Sequence, residues 1–178
     1  IGPQIASAAS HRHRPGGLTC FLASHVADHN RLQALSRLLQ SICVASDGGP
    51  TLLAISWSCT DELIAKGVRE AISTAASTIA IQSMETREKT SQFEHLRRLA
   101  DAMSAAAPKW IMFTDDDDIW SERRHAIYAR EAACASPMVH ALLCRRKTAM
   151  LAAATSDDEP SDANGVRALL GRRLARFT

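Results

Sequence analysis

Four consecutive aspartates, Asp115, Asp116, Asp117 and Asp118, stand between the apolar run WIMFT and the pair Ile119–Trp120. Adjacent carboxylates repel one another, so an apolar segment that delivers four of them to one place needs a compensating positive charge there. A divalent cation supplies it most simply. Mg²⁺ and Mn²⁺ prefer hard oxygen ligands and commonly bridge one or two protein carboxylates and the phosphates of a substrate. Alternate side chains of a strand share a face, so Asp115 and Asp117 point together if the extended backbone persists through the cluster. The alternative is a solvated acidic turn without a ligand. The hydrophobic anchors on both sides of the cluster argue for a held ligand.

Other residues with chemical potential are scattered. His140 falls on a possible strand and could complete a metal site, or simply pack; His11 and His13 lack further fixed ligands nearby. Arg123 and Arg124 follow the acids and could bind a diphosphate or pair with the carboxylates. The chain has no phosphate loop of the G-x-x-x-x-G-K type and no nucleophile elbow. Its five cysteines (Cys20, Cys43, Cys59, Cys134 and Cys144) are widely spaced, with no C-x-x-C pair, and read as buried free thiols.

The elements that must position the acids alternate along the chain. LTCFLASH from Leu18 reads as a strand, and the capping-box spacing of Asn30 and Gln33 predicts a helix with Leu32, Leu35, Leu38, Leu39 and Ile42 on its apolar side, running to about Ala45. TLLAISWS is a second strand after the turn at 47–50, and Thr60, Asp61 and Glu62 introduce a second helix. STIAIQSM (77–84) is a third strand. The stretch 88–104 is a third helix with Phe93, Leu96, Leu99 and Met103 on one face, and WIMFT (110–114) is the fourth strand. A further helix from Ser121 to about Ala135 and a fifth strand, MVHALLCRR (138–146), complete the pattern. The fold class is therefore α/β, a mainly parallel sheet with helices on both faces, because each parallel return needs a crossover. Ligands of such sheets bind beyond the carboxyl ends of the strands, where the aspartates fall.

The 178 residues suit one ordinary domain, expected over 18–150, preceded by a disordered tail (1–17) and followed by an acidic loop and basic terminal helix (151–178). A formal net charge of +2 is too mild for a nucleic-acid-binding surface, and no apolar run is long enough to span a bilayer. Without a visible secretory signal, the expected compartment is cytoplasmic.

WIMFTDDDDIW, with Ser121, Glu122 and Arg123 after it, resembles the D-x-D region of family 2 glycosyltransferases. SHVADHNRLQALSRLLQSI resembles the end of their first strand, its Asn-Arg step and the Leu-rich helix. The TDEL of SWSCTDEL is similar to the end of their second-strand signature, so the resemblance spans about 18–135. It implies the A-type, Rossmann-like nucleotide-diphospho-sugar transferase fold and metal-dependent, inverting transfer of a sugar from a nucleotide-sugar donor to a glycosyl acceptor hydroxyl. By the same resemblance Asp115 and Asp117 hold Mn²⁺ or Mg²⁺, with Asp115 also near the ribose. Asp118 orients the sugar or supports the site, and Ala23, Ser24 and His25 line the nucleotide pocket. Gln92, Glu94 and His95 lie roughly where the family contacts the donor, unless they form an exposed polar face.

Two features depart from the family. Ser56 and Trp57 replace the acidic residues common before the Gly-Ser-Thr-Asp signature, leaving Trp57 to stack on a base or to pack. Only 60 residues, 119 to 178, follow Asp118, and they offer no positioned general base. The expectation is therefore a donor-binding domain. The alternatives are a non-catalytic or truncated homologue that binds nucleotide or metal, and an interaction protein whose acidic loop holds a cation or a basic partner.

Overall fold

The computed structural model describes residues 17–45, 49–104, 108 and 110–135. In chain order it contains β1 (Leu18–His25), α1 (His29–Cys43), β2 (Leu52–Ser58), α2 (Glu62–Ala76), β3 (Ile81–Thr86), α3 (Gln92–Met103), β4 (Trp110–Thr114) and α4 (Arg124–Cys134). The proposed fifth strand, His140, the tail with His11 and His13, the acidic loop and the terminal segment lie outside the described residues.

Both faces of the central strands are covered. Leu18, Cys20 and Leu22 of β1 and Leu53, Ile55 and Trp57 of β2 join one core with the apolar faces of α1 and α2, while Phe21 and Ala54 turn to the opposite face and meet Leu99 and Met103 of α3. Near-continuous apolar runs such as LTCFL and LLAI are what a strand buried on two faces requires. The sheet is parallel throughout, in the order β3-β2-β1-β4. The chain steps outward from β1 to β2 to β3, then crosses back to place β4 on the other side of β1. Right-handed crossovers put the connecting helices on opposite faces when the direction reverses. The fold is an α/β sheet flanked by helices, Rossmann-like in arrangement.

The reversal opens a crevice between the carboxyl ends of β1 and β4, the place where open parallel sheets bind ligands. Leu22 pairs with Thr114, the last residue of β4, so the aspartates begin level with Ala23, Ser24 and His25. Close packing of α1 on α2 fixes the helix beside this crevice: a Cβ at Gly67 would come 2.7 Å from the Leu32 side chain. Trp120 locks the far side of the aspartate loop. Its side chain is fully buried in the main core, its backbone N–H donates to Ser41 Oγ of α1 at 2.8 Å, and Arg124 lies over its ring.

Several local expectations are corrected. Asp28, not Asn30, caps α1, accepting the Arg31 backbone N–H at 2.9 Å, so the helix begins one residue before the expected cap. The third strand is Ile81–Thr86 rather than 77–84, because α2 continues through its Ala-rich end and Ser77, Thr78 and Ile79 close the following turn with backbone bonds to Thr74 and Ala75. α3 starts at Gln92, capped by Ser91, and turns Phe93 outward at 83% exposure; His95 takes the buried place instead. α4 starts at Arg124 rather than Ser121, which contributes only a carbonyl to the Arg124 N–H. Trp57 packs in the core and donates its indole N–H to Ser83, so it is not available to stack on a ligand. Cys20 and Cys59 are buried free thiols as expected, but Cys43 is half-buried and Cys134 exposed.

Candidate functional site at the carboxyl edge of the sheet

A cleft of about 500 Å³ opens at the crevice between β1 and β4. Its floor is Ala23, Ser24 and His25 from the end of β1; one wall is Asp28 and Arg31 from the start of α1, and the other is Gln92 of α3 with Asp115, Asp116 and Asp117. The structure thus brings together six of the residues given a site role from the sequence: Ala23, Ser24, His25, Gln92, Asp115 and Asp117. Asp118 does not line this cleft. Its carboxylate instead lies 3.5 Å from Arg124 Nη1 and 3.4 Å from the Thr114 hydroxyl, beneath the loop.

The alternation of the aspartates comes from a turn rather than from a continued strand. β4 ends at Thr114, and the Asp118 N–H closes back on the Asp115 carbonyl at 3.2 Å. Asp115 and Asp117 are left exposed while Asp116 folds inward to 7% exposure. There the Ser24 hydroxyl donates to one carboxylate oxygen of Asp116, and Arg31 Nη1 donates to the other at 2.7 Å. A nearly buried carboxylate needs such partners, since burying it unpaired would cost several kcal/mol, of the order of 3 or more. Asp116 is thereby a tie between β1, α1 and the loop, and Arg31 lies 3.6 Å from Asp117 as well. Arg31 and Asp116 were missed as a pair by sequence reasoning. Alternation identifies an odd residue but not its partner 85 positions away.

On the other wall, Gln92 Nε2 donates to Asp115 Oδ1 at 2.9 Å, fixing the orientation of that carboxylate at the mouth of the cleft. Of its two helical companions, Glu94 faces away. Its carboxyl, held down to about 2 by hydrogen bonds from Arg97 against a smaller opposing effect of desolvation, forms exposed pairs with Arg97 and Arg98. His95 is fully buried between the sheet and α3, bonded to Ser56 and Ser58 of β2. Arg124 pairs with Asp118 and donates to the Phe113 carbonyl, so of the two roles open to it the carboxylate-pairing one is realised.

Four carboxylates line the cleft, those of Asp28, Asp115, Asp116 and Asp117, against the single guanidinium of Arg31. That excess of negative charge favours a cation and opposes a bare anion. Among the described residues no three His, Cys, Asp or Glu side chains converge into a closed metal cage. Two exposed carboxylates, Asp115 and Asp117, instead make an open, hard-oxygen donor set. Such a set suits a largely hydrated Mg²⁺ or Mn²⁺ whose coordination is completed by phosphate oxygens, and does not suit a soft metal that wants thiolate or imidazole.

Among the described residues no helix is long and apolar enough to cross a membrane. The chain matches neither a protein-family model nor a curated protein.

Proposed function

We propose that the cleft binds a nucleotide-sugar donor together with Mg²⁺ or Mn²⁺, and that the domain serves glycosyl transfer to an acceptor hydroxyl. The observation that carries this reading is the placement of Asp115 and Asp117 at the switch point between β1 and β4, turned into one cleft with Arg31. A nucleotide across the carboxyl edge of a parallel sheet, with its diphosphate at the switch point, is the arrangement such sheets favour.

Each residue then has a task. Ala23, Ser24 and His25 form the surface against which base and ribose lie. Asp115, oriented by Gln92, and Asp117 hold the cation. The cation supplies neutralisation of the diphosphate charge that grows as the sugar–phosphate bond breaks. Arg31 adds a second positive group beside Asp117, within the same cleft. Asp116 binds no ligand in this account; paired with Ser24 and Arg31, it keeps the loop in place. Asp118 supports the loop from beneath through Thr114 and Arg124. No described side chain is assigned as general base, so the account concerns donor binding and departure of the nucleotide.

The second reading is a domain that binds nucleotide and metal without turnover, favoured because the cleft carboxylates already have other tasks: Asp115 and Asp117 the cation, Asp116 the tie to Ser24 and Arg31, and Asp28 the cap of α1. Titration of UDP, GDP, ADP, CDP and dTDP into the protein, with and without Mn²⁺, tests both readings. Metal-dependent binding of at least one is expected, and failure of all of them to bind removes both. Release of free sugar from the corresponding sugar nucleotide separates the first reading from the second.

A further inference from the structure

His25 is the only imidazole that lines the cleft among the described residues, and its ring is tied to the interior. Its Nδ1 lies 2.9 Å from Ser58 Oγ on the neighbouring strand. Ser58 Oγ in turn lies 3.0 Å from Nε2 of His95, whose Nδ1 lies 2.8 Å from Ser56 Oγ. Ser56, Ser58 and His95 are all buried, so this is a continuous polar chain leading from the cleft floor to the core beneath α3. The parallel register makes it possible: His25 pairs with Ser58 across β1 and β2, and Ser56 and Ser58 fall on the same face of β2.

A neutral imidazole has one protonated and one unprotonated nitrogen, and a serine hydroxyl has one proton to donate. His95 is neutral, since burial, reinforced by Arg98 and His25, pushes its pKa down to about 4 against the opposing pull of Glu94. If Ser58 donates to His95, it must accept from His25, which leaves His25 Nε2 unprotonated and a hydrogen-bond acceptor. If Ser58 accepts from His95 and turns its own proton to His25 Nδ1, His25 Nε2 carries the proton and is a donor. With the Ser58 proton held on this chain, the proton positions on the two rings change together. An apolar residue in place of His95 would remove this partner from the buried Ser56 and Ser58 hydroxyls and leave the His25 tautomer unset.

We propose that His25 is a ligand-contacting, specificity-determining residue of the cleft, and that the buried Ser58–His95–Ser56 chain sets whether its free ring nitrogen donates or accepts a hydrogen bond. The group it recognises is a neutral polar edge of the nucleotide, a ribose hydroxyl or the rim of a base; this part rests on the nucleotide reading, whereas the coupling of the rings does not. Ser58 and His95 are positioning residues that act through His25.

The test is ¹⁵N–¹H correlation of the histidine rings in the full chain near pH 7.5. Of His25 Nδ1 and His95 Nε2, one and only one is expected to be protonated, each ring in a single tautomer. Finding both protonated, or either ring averaging freely between tautomers, overturns the coupling. His25→Ala, at a half-buried position on the cleft floor, is expected to shift the His95 tautomer balance; an unchanged His95 spectrum also overturns it. Ser58→Ala is expected to release the His25 ring into tautomer averaging. Addition of UDP with Mg²⁺ is expected to move His25 Nε2 in the wild type, and His25→Ala is expected to weaken UDP binding roughly five- to tenfold, the worth of one neutral hydrogen bond. UDP that binds by calorimetry without moving His25 Nε2 overturns the ligand contact. If none of UDP, GDP, ADP, CDP and dTDP binds, the ligand contact and the nucleotide reading both fall, and the tautomer pairing alone decides the relay.

Discussion

Arg31 Nη1 lies 2.7 Å from Asp116 and 3.6 Å from Asp117, so one guanidinium joins the inward carboxylate of the aspartate loop to an outward one. The inner contact is nearly dry, with Asp116 7% exposed and held also by Ser24; the outer one is open, with the Asp117 side chain 64% exposed. Neighbouring residues of the same type thus carry different burdens, and their substitution separates architecture from ligand binding.

Asp116→Ala leaves the Ser24 hydroxyl and the Arg31 guanidinium without their buried partner. The expected cost is about 2 kcal/mol, below the range for a fully buried pair because Arg31 is half in solvent. Asp117→Ala removes an exposed carboxylate and is expected to change stability by no more than about 0.5 kcal/mol. Urea denaturation of the two variants checks the contrast; equal losses would contradict the assigned roles.

Trp120 anchors the aspartate loop against α1, and its ring is fully buried. Trp120→Ala is expected to lose roughly 3–4 kcal/mol, the usual cost of emptying a large buried aromatic site. Phe93, at 83% exposure, is expected to tolerate alanine with a change of a few tenths of a kcal/mol, about 0.3. Thermal melts of both variants distinguish this from an arrangement in which Phe93 is part of the core.

His95 is held neutral by burial, with Arg98 and His25 adding to the effect and Glu94 opposing it. In the unfolded chain it takes up a proton near pH 6.5, but in the folded chain only near about 4. The unfolded state therefore binds more protons between these values, and the stability contributed by the neutral ring, full above pH 6.5, is lost as pH falls toward 4. The expected loss over that window is roughly 2–3 kcal/mol. Denaturation midpoints of wild type and His95→Gln, followed from pH 7.5 to 4, are expected to converge on acidification.

Burial pushes the Cys20 thiol up to about 12, outweighing the opposing field of Arg124, whereas Cys134 is exposed. Brief treatment with iodoacetamide at pH 8 is expected to label Cys134 and spare Cys20, because the thiolate is the nucleophile. Peptide mass spectrometry reads the result, and rapid native labelling of Cys20 would contradict its place in the core.

Much of this architecture was legible in the residues. Largely apolar runs located β1 and β4 to the residue, and the run Thr60, Asp61 and Glu62 announced α2, whose cap is the Asp61 carboxylate that receives the Leu63 and Ile64 N–H groups. β3 was misplaced because Ser77, Thr78 and Ile79 have the β-branched and polar character of a strand start, while the backbone there closes a helix. The helical face of α3 was misread because hydrophobicity alone favoured Phe93; the deciding interactions were the hydrogen bonds between the two ring nitrogens of His95 and two serines on another element. The same limit applied at the site. Asp115 and Asp117 could be singled out from their spacing, but the inward role of Asp116 depends on Ser24 and Arg31, which the fold alone brings to it.

The central claim is a metal-dependent nucleotide site built on Asp115 and Asp117. Isothermal titration of UDP, GDP, ADP, CDP and dTDP into wild type and Asp117→Ala, each with Mn²⁺ and with EDTA, tests it most directly. For at least one nucleotide the account predicts binding with Mn²⁺ that weakens at least about 100-fold in EDTA and to a similar extent in Asp117→Ala, a loss of roughly 2.7 kcal/mol or more, while that variant stays folded. No nucleotide binding by the wild type, or binding that neither metal removal nor Asp117→Ala weakens, would contradict it.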